Sequence, residues 1–446
     1  MKADAMLACL AAALLLCGCG GEERGDRSAV PADDDSDFAG AFVPVPAAEP
    51  SAMDDLLGVS VHTCWSQSEG CVEWREFELS KLEEAGVGIV RRDFTWSAVE
   101  PQPDDYRMDG PRTLIESAAS HNIEVIALLD YCNSWACENG ATSTIDVDAF
   151  AEYAGAIAAE FADELTYYEV WNEENTGRFW KPALDPYKYG ELLKAAYTAI
   201  RGADADSQVL FGGLAPSYEL SMFPHPHGIW GFYYKVKYYH PDIDDYFDIF
   251  AIHPYVLAQH GAPEWEIPVL EIFQPSLEQM VEYARQMAKK PVWITEMGWP
   301  SLYLSEDTQA AYLARGFILA AYHGVRRVLW YTSWDGLGDT TEDRFGLFGR
   351  VPNEPPDVQP IKPAYYALKA LHELLGELRP AEEVSSSLAL YPWERAYLFE
   401  DEGGEPRAVA VWSIAPNDAR DAVVRIPYSD GPFAVYDMLV SPLTVD

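Results

Sequence analysis

The chain has 446 residues, 49% of them hydrophobic and 13% aromatic, enough for one large domain and a second, smaller one. Acids outnumber bases 72 to 31, a formal charge of −41, which argues against nucleic acid as a partner because phosphate binding takes a basic surface. Strongly anionic polymers are disfavoured as well, within the roughly 10 Å over which salt leaves charge unscreened, and a surface adapted for solubility or high salt accounts for the charge without a specific role.

The first residues read as export machinery. Lys2 is followed by an apolar run over 5–17, too short to span a membrane and suited to a signal-peptide core. Leu16, Cys17, Gly18 and Cys19 then resemble the lipobox of bacterial lipoproteins, with two glycines and an acidic stretch directly after. That resemblance implies a signal peptide over 1–18, a lipid anchor on Cys19 and a place on the bacterial cell envelope, periplasmic or at the outer surface. Secretion with cleavage nearby and no lipid is the alternative. Residues 19–54 are acidic, rich in Pro and Ala and without periodicity, a tether rather than a domain. Once Cys9 and Cys17 leave with the leader and Cys19 takes the lipid, Cys64, Cys71, Cys132 and Cys137 remain. An even number in an exported chain points to disulfides. The short spacings favour Cys64 with Cys71 and Cys132 with Cys137, each stapling one loop, over the crossed connectivities. No His stands beside them at zinc-site spacing. His225 and His227, two apart in a Pro-rich stretch, read as loop structure rather than a metal site.

From residue 56 a regular alternation begins. Apolar runs near 57–62, 88–93, 123–130, 166–173, 208–213, 247–253, 291–296 and 327–334 predict strands. Helical patterns lie between them at 73–85, 111–121, 146–162, 186–201, 230–239, 276–288 and 306–322, and 362–375 closes the series. Strand–helix units at near-constant spacing, uninterrupted by a G-x-G-x-x-G switch point, predict an α/β fold, a (β/α)8 TIM barrel over 55–377. Past 378 the pattern shifts to short strands at 396–400, 408–412, 422–426 and 433–436, with a hairpin turn over 401–405. The 378–446 segment is too short for a strong core of its own and is expected to pack on the barrel as a small β module.

In such a barrel function sits at the carboxyl ends of the strands, here His62, Asp93, Asp130, Glu173, Gly213, His253, Glu296 and Trp334. Strand four closes on Asn172 and Glu173, an amide to hold a hydroxyl beside a carboxyl to move a proton. Strand seven closes on Glu296 ahead of Gly298-Trp299-Pro300. Strands four and seven stand opposite each other around the ring, so Glu173 and Glu296 can flank one glycosidic bond. Strict alternation would send Asn172 and Glu173 to opposite faces, so both reach the site only if the strand bulges or ends there.

Val90-Arg91-Arg92-Asp93-Phe94-Thr95-Trp96, Trp171-Asn172-Glu173, Ile252-His253-Pro254-Tyr255, Ile294-Thr295-Glu296-Met297-Gly298-Trp299 and the run from Trp330 to Asp335 occur in this order at barrel spacing. With Phe345-Gly346-Leu347 and Lys362-Pro363-Ala364-Tyr365, they resemble a clan A glycoside hydrolase, close to families 39 and 5, over nearly the whole barrel. The resemblance implies a retaining enzyme that cleaves β-linked, neutral glycans with no cofactor or catalytic metal, acting on an oligo- or polysaccharide as a monomer. It implies Glu173 as acid/base, Glu296 as nucleophile and Asn172 on the sugar's 2-hydroxyl. Arg91 and Tyr255 would hold Glu296 ionised, and His253 and Trp334 would line the first subsite. Glu174 stands where the family has Pro, adding a charge beside the acid/base and loosening the turn. His62 is expected at the mouth. Trp135 and Trp180, like Trp65, are loop tryptophans offered as stacking platforms, whose bland alternative is core packing. Asp130 reads as structural rather than as a third site carboxylate, and Glu169 as paired inside the barrel. A carbohydrate-binding lipoprotein without catalysis is the alternative function, and the presence of both glutamates argues against it.

Overall fold

The structure, a computed structural model, describes residues 50–216, 227–256, 262–264, 267–269, 272–388, 390 and 393–413. The expected signal peptide, Cys19, most of the tether, His225 and the strands at 422–426 and 433–436 lie outside the described residues. Among the described residues no helix is long and apolar enough to cross a membrane.

A short helix α1 (Met53–Leu56) leads into the first strand. Its Met53 and Asp54 amides donate to the carbonyls of Leu378 and Gly376, which ties the start of the barrel to its end. In chain order the strands and helices are β1 (Leu57–Ser60), α2 (Glu69–Glu84), β2 (Ile89–Asp93), α3 (Trp96–Val99), α4 (Asp109–Ser120), β3 (Glu124–Leu129), α5 (Val147–Glu160), β4 (Tyr167–Asn172), α6 (Pro186–Ala203), β5 (Gln208–Leu214), α7 (His227–Tyr239) and β6 (Ile249–Ile252). Two short strands, β7 (Ile267–Val269) and β8 (Ile272–Gln274), form an antiparallel ribbon after β6. Then come α8 (Leu277–Ala288), β9 (Val292–Met297), α9 (Glu306–Tyr322), β10 (Arg327–Tyr331) and α10 (Pro363–Leu375).

Strands β1 to β6, β9 and β10 pair in parallel, and β1 pairs with β10, so the sheet closes into an eight-stranded barrel. The expected (β/α)8 architecture is borne out, with the ribbon as an excursion too short to read from period. Helix starts are set locally: the side chains of Asp146, Asp185, Ser276 and Ser305 accept from the first-turn amides of α5, α6, α8 and α9. A shell of buried aliphatic and aromatic side chains fills the space between strands and helices. The barrel interior carries a second apolar layer of Ile89, Ile126, Leu210, Ile249, Ala251, Trp293 and Leu329. Two residues further along β2 and β9 the same inward face carries Arg91 and Thr295. The lumen thus turns from apolar to charged toward the carboxyl ends of the strands.

Past the barrel, β11 (Arg379–Glu383), β12 (Glu394–Glu400) and β13 (Pro406–Ser413) form an antiparallel sheet. Of these, β12 and β13 coincide with expected strands, while β11 carries charges rather than an apolar alternation. The sheet is held to the barrel by Tyr397 against Tyr322, with ring centroids 4.9 Å apart, and by Trp412 Nε1 donating to Glu264 at 2.8 Å.

Candidate active site

The carboxyl ends of the strands open into a cavity of about 390 Å³. Arg91, on β2, is 4% exposed and organises its floor. Its Nε and Nη2 donate to the two oxygens of Glu169 at 2.6 and 3.1 Å, Nη1 donates to Glu296 Oε1 at 2.6 Å, and Nη2 also donates to Asn172 Oδ1 at 2.8 Å. Arg92 points elsewhere, toward Asp93 and the Thr63 carbonyl. Glu169 is paired inside the barrel, as the sequence suggested.

Glu296, at the end of β9, receives a second hydrogen bond from the Tyr255 hydroxyl at 2.8 Å on its other oxygen. Burial by itself would push this carboxyl up. The charge of His253 whenever it carries the second proton, that of Arg91, and hydrogen bonds from Tyr255 and Arg91 outweigh it and hold Glu296 below the usual carboxylate range. Burial and the neighbouring Glu296 charge push the Tyr255 phenol well up, so it stays a donor.

Glu173 reaches the same cavity because strand four breaks regularity at its end. Trp171 has φ 72° and Glu173 has φ 45°, and the pairing of β4 with β5 skips Trp171 before Asn172 meets Gly213. Left-handed backbone at non-glycine residues costs of order 1–3 kcal/mol each, and here it falls where two neighbouring side chains must share one cavity. Trp171 turns into the shell against Trp180 while Asn172 and Glu173 line the cavity. His253 Nδ1 lies 3.0 Å from Glu173 Oε1, and its Nε2 lies 3.0 Å from Thr295 Oγ1. Thr295 donates its proton to Glu169 at 3.0 Å. Its oxygen is therefore free to accept from His253 Nε2–H, which leaves one proton between Nδ1 and Glu173. Gly213 makes room for this ring, since a Cβ there would lie 2.0 Å from His253 Nε2.

One oxygen of Glu173, one of Glu296 and a ring nitrogen of His253 lie within 4.8 Å of one another. That spacing would also suit a cation, but the Arg91 guanidinium already occupies Glu296, so the trio is a poor metal site. Among the described residues no other such cluster of His, Cys, Asp and Glu occurs.

The remaining expectations divide. His62 lines the cavity. Among the described residues Trp334, Trp135 and Trp180 do not. Trp334 packs against Trp74 and Phe348, because β10 ends at Tyr331, three residues earlier than its apolar run implies. Trp135 sits edge-on to Trp96 and donates to the Glu100 carbonyl. Trp180 is fully buried against Trp171 and Tyr189. The aromatic wall is built instead from Tyr331 and from Tyr131 stacked on Phe179 at 5.6 Å, the two tyrosines at or just after a strand end. Position after a strand end was the available signal, and side-chain size obscured it.

Glu174 corrects another expectation. Its side chain lies outside the barrel, where a Cβ on Gly212 would meet Oε2 at 2.2 Å, and it is completely buried. Burial pushes its carboxyl well up, which opposes a charge beside Glu173. The turn is not loose either: the Asn175 amide exchanges hydrogen bonds with the backbone of Ala215 at 2.6 and 3.1 Å. Cys64 and Cys71, and Cys132 and Cys137, are paired, with Cα separations of 5.6 and 5.8 Å.

No family model matches the chain, and no curated protein does. Solved structures do. A family 39 glycoside hydrolase from Bacteroides cellulosilyticus WH2 superposes with a TM-score of 0.69 at 24% identity, over 89% of this chain and 79% of that one. The chain has the barrel fold of these glycoside hydrolases. A family 39 β-xylosidase from Caulobacter crescentus gives 0.54 at 17% identity, over 79% of this chain and 78% of that one. A family 5, subfamily 18 glycoside hydrolase from Streptomyces cattleya, in complex with GlcNAc, gives 0.53 at 19% identity, over 72% and 80%.

Proposed function

We propose that the protein is a retaining glycoside hydrolase acting on β-linked, neutral glycans, exported and anchored to the cell envelope through a lipid on Cys19. The observation that carries the reading is the pair of glutamates facing each other across the cavity, one oxygen of each within 4.8 Å of the other, one hydrogen-bonded to Arg91 and Tyr255 and the other to His253. Retaining enzymes place their carboxyl groups about 5–5.5 Å apart and inverting ones about 6.5–9.5 Å apart.

Glu296, kept ionised, attacks the anomeric carbon. Glu173, sharing a proton with His253, delivers it to the leaving oxygen. Water then enters where the leaving group was, gives its proton back to Glu173 and displaces Glu296 from the sugar. Asn172, oriented by Arg91, presents its amide N–H to the sugar's 2-hydroxyl. The two carboxyls supply acid, base and nucleophile, so this route calls for no metal or cofactor. The neutral-glycan assignment rests on the cations: Arg91 is committed to Glu169 and Glu296, and Arg178 at the rim is paired with Glu342 at 3.1 Å.

Turnover of a panel of β-glucans, xylans, mannans and aryl β-glycosides tests the reading. Proton NMR of the first-formed product should show the β-anomer. Release of the α-anomer, or no hydrolysis across the panel, would overturn it.

A further inference from the structure

Asp93 ends β2 and lines the cavity beside His62 and Arg91. Arg92 Nη1 donates to its Oδ2 at 2.8 Å, and His62 Nδ1 lies 3.8 Å from the same oxygen. Arg92 is itself held in place, with Nε on the Thr63 carbonyl at 3.1 Å and its guanidinium 5.1 Å over the Trp65 ring. Behind Asp93, just past β3, stands Asp130, with no exposure at all. Among the described residues no N–H or O–H group reaches either of its oxygens, and the group it meets is the Asp93 carboxyl. Two carboxyls in contact cannot both ionise at neutral pH. Burial and the Asp93 charge push Asp130 well up, whereas for Asp93 burial is outweighed by Arg92, by the Asp130 hydrogen bond and by Arg91. Of the two, Asp130 is the carboxyl that favours its proton and Asp93 the one that favours its charge.

What faces the cavity is a fixed anion that can only accept hydrogen bonds. Neither step of the double displacement uses it. We propose that Asp93, clamped by Arg92 and backed by Asp130, is a specificity-determining residue that accepts hydrogen bonds from ring hydroxyls of the bound sugar and turns away a ring bearing a carboxylate at that edge. The proposal rests on reading the cavity as a glycoside site. It names the substrate class more closely: a neutral sugar whose hydroxyls toward strands β1–β3 are free. Asp130 is a positioning residue, acting through Asp93 without touching the sugar.

The test is binding of 4-nitrophenyl β-D-xyloside, β-D-glucoside, β-D-mannoside and β-D-glucuronide by calorimetry, on the full chain carrying Glu296→Gln to stop turnover. Adding Asp93→Ala should weaken binding of the preferred neutral glycoside by roughly 10- to 100-fold, the worth of a hydrogen bond to a charged group. Adding Asp93→Asn should narrow the preference for that glycoside over the glucuronide. Asp130→Asn keeps an N–H aimed at Asp93 and should stay within a few-fold of the parent, while Asp130→Leu should lose about as much as Asp93→Ala. Unchanged affinity in the Asp93→Ala protein, no binding by the parent, or an Asp130→Asn variant as weak as Asp130→Leu would each overturn the proposal. Turnover by the wild-type chain separates the two readings: Asp93-dependent binding without hydrolysis sinks the hydrolase and leaves this inference standing.

Discussion

Glu173 and Glu296 are the same side chain at the same level of one barrel, and their neighbours set them apart. Two cation and phenol hydrogen bonds hold Glu296 as an anion, whereas Glu173 faces a ring nitrogen across a single proton. Glu296→Ala should abolish turnover of every glycoside, since no atom is left to attack. Glu173→Ala should lose about 10²–10⁴-fold on a natural glycan but retain the first step on an aryl glycoside whose leaving group needs little protonation. Added azide should then give the β-glycosyl azide from the Glu173 variant and the α-glycosyl azide from the Glu296 variant; the reverse pairing would swap the roles. Glu174 allows a thermodynamic test. Its carboxyl is raised in the fold from an unfolded value near 4.5, so the folded chain keeps a proton that the unfolded chain releases above that pH. Its contribution to stability is present below about pH 4.5 and is lost as pH rises toward the folded value. Glu174→Gln removes this dependence. The stability difference, variant minus wild type, should climb by up to about 1.4 kcal/mol per pH unit above that point in urea titrations. Parallel curves would mean that Glu174 is ionised in the fold.

Among the elements, the loops after β1 and β3 bring His62 and Tyr131 to the cavity, and each carries a disulfide. Cys132–Cys137 closes the loop that begins with Tyr131, and Cys64–Cys71 closes the one holding Trp65 under Arg92. Loops this short lose little chain entropy when closed, so each bridge should contribute about 2 kcal/mol. Peptide mapping of the exported protein should find these two pairs, and the Cys132→Ser/Cys137→Ser variant should melt earlier while keeping the barrel's circular dichroism. Crossed pairs or free thiols would remove the staples from the account. The strands themselves were legible, because their apolar runs recur at a spacing that suits one strand and one helix. Their exact ends were not. The run leading to Trp334 continues past the last barrel pairing at Tyr331, where Thr332 and Ser333 stay buried although they belong to no strand. Likewise β11, rich in charge, is a strand because β12 offers it a partner.

For the molecule as a whole, the proposed lipid on Cys19 is joined to the barrel by about thirty residues of acidic chain. Replacing Cys19 by Ser should move the protein from the detergent to the aqueous phase of a Triton X-114 separation with soluble activity unchanged. A variant that stays with the detergent would rule out that anchor. Sequence alone determined the barrel, the strands that bear Glu173 and Glu296, the placement of Arg91, Asn172, His253 and Tyr255 with them, and the cysteine pairs. The barrel, its strands and the cysteine pairs follow from period and spacing along one chain, and the four companions of the glutamates from the resemblance of short runs to clan A glycoside hydrolases. Only the tertiary structure decided that Tyr331, Tyr131 and Phe179 line the cavity while Trp334, Trp135 and Trp180 pack away from it, that Glu174 is buried with its carboxyl pushed up, and that Asp130 stands behind Asp93. In each case the outcome depends on which side chains from distant strands and helices fill the space around a residue, and burial, charge and hydrogen-bond partners are properties of that space rather than of the residue.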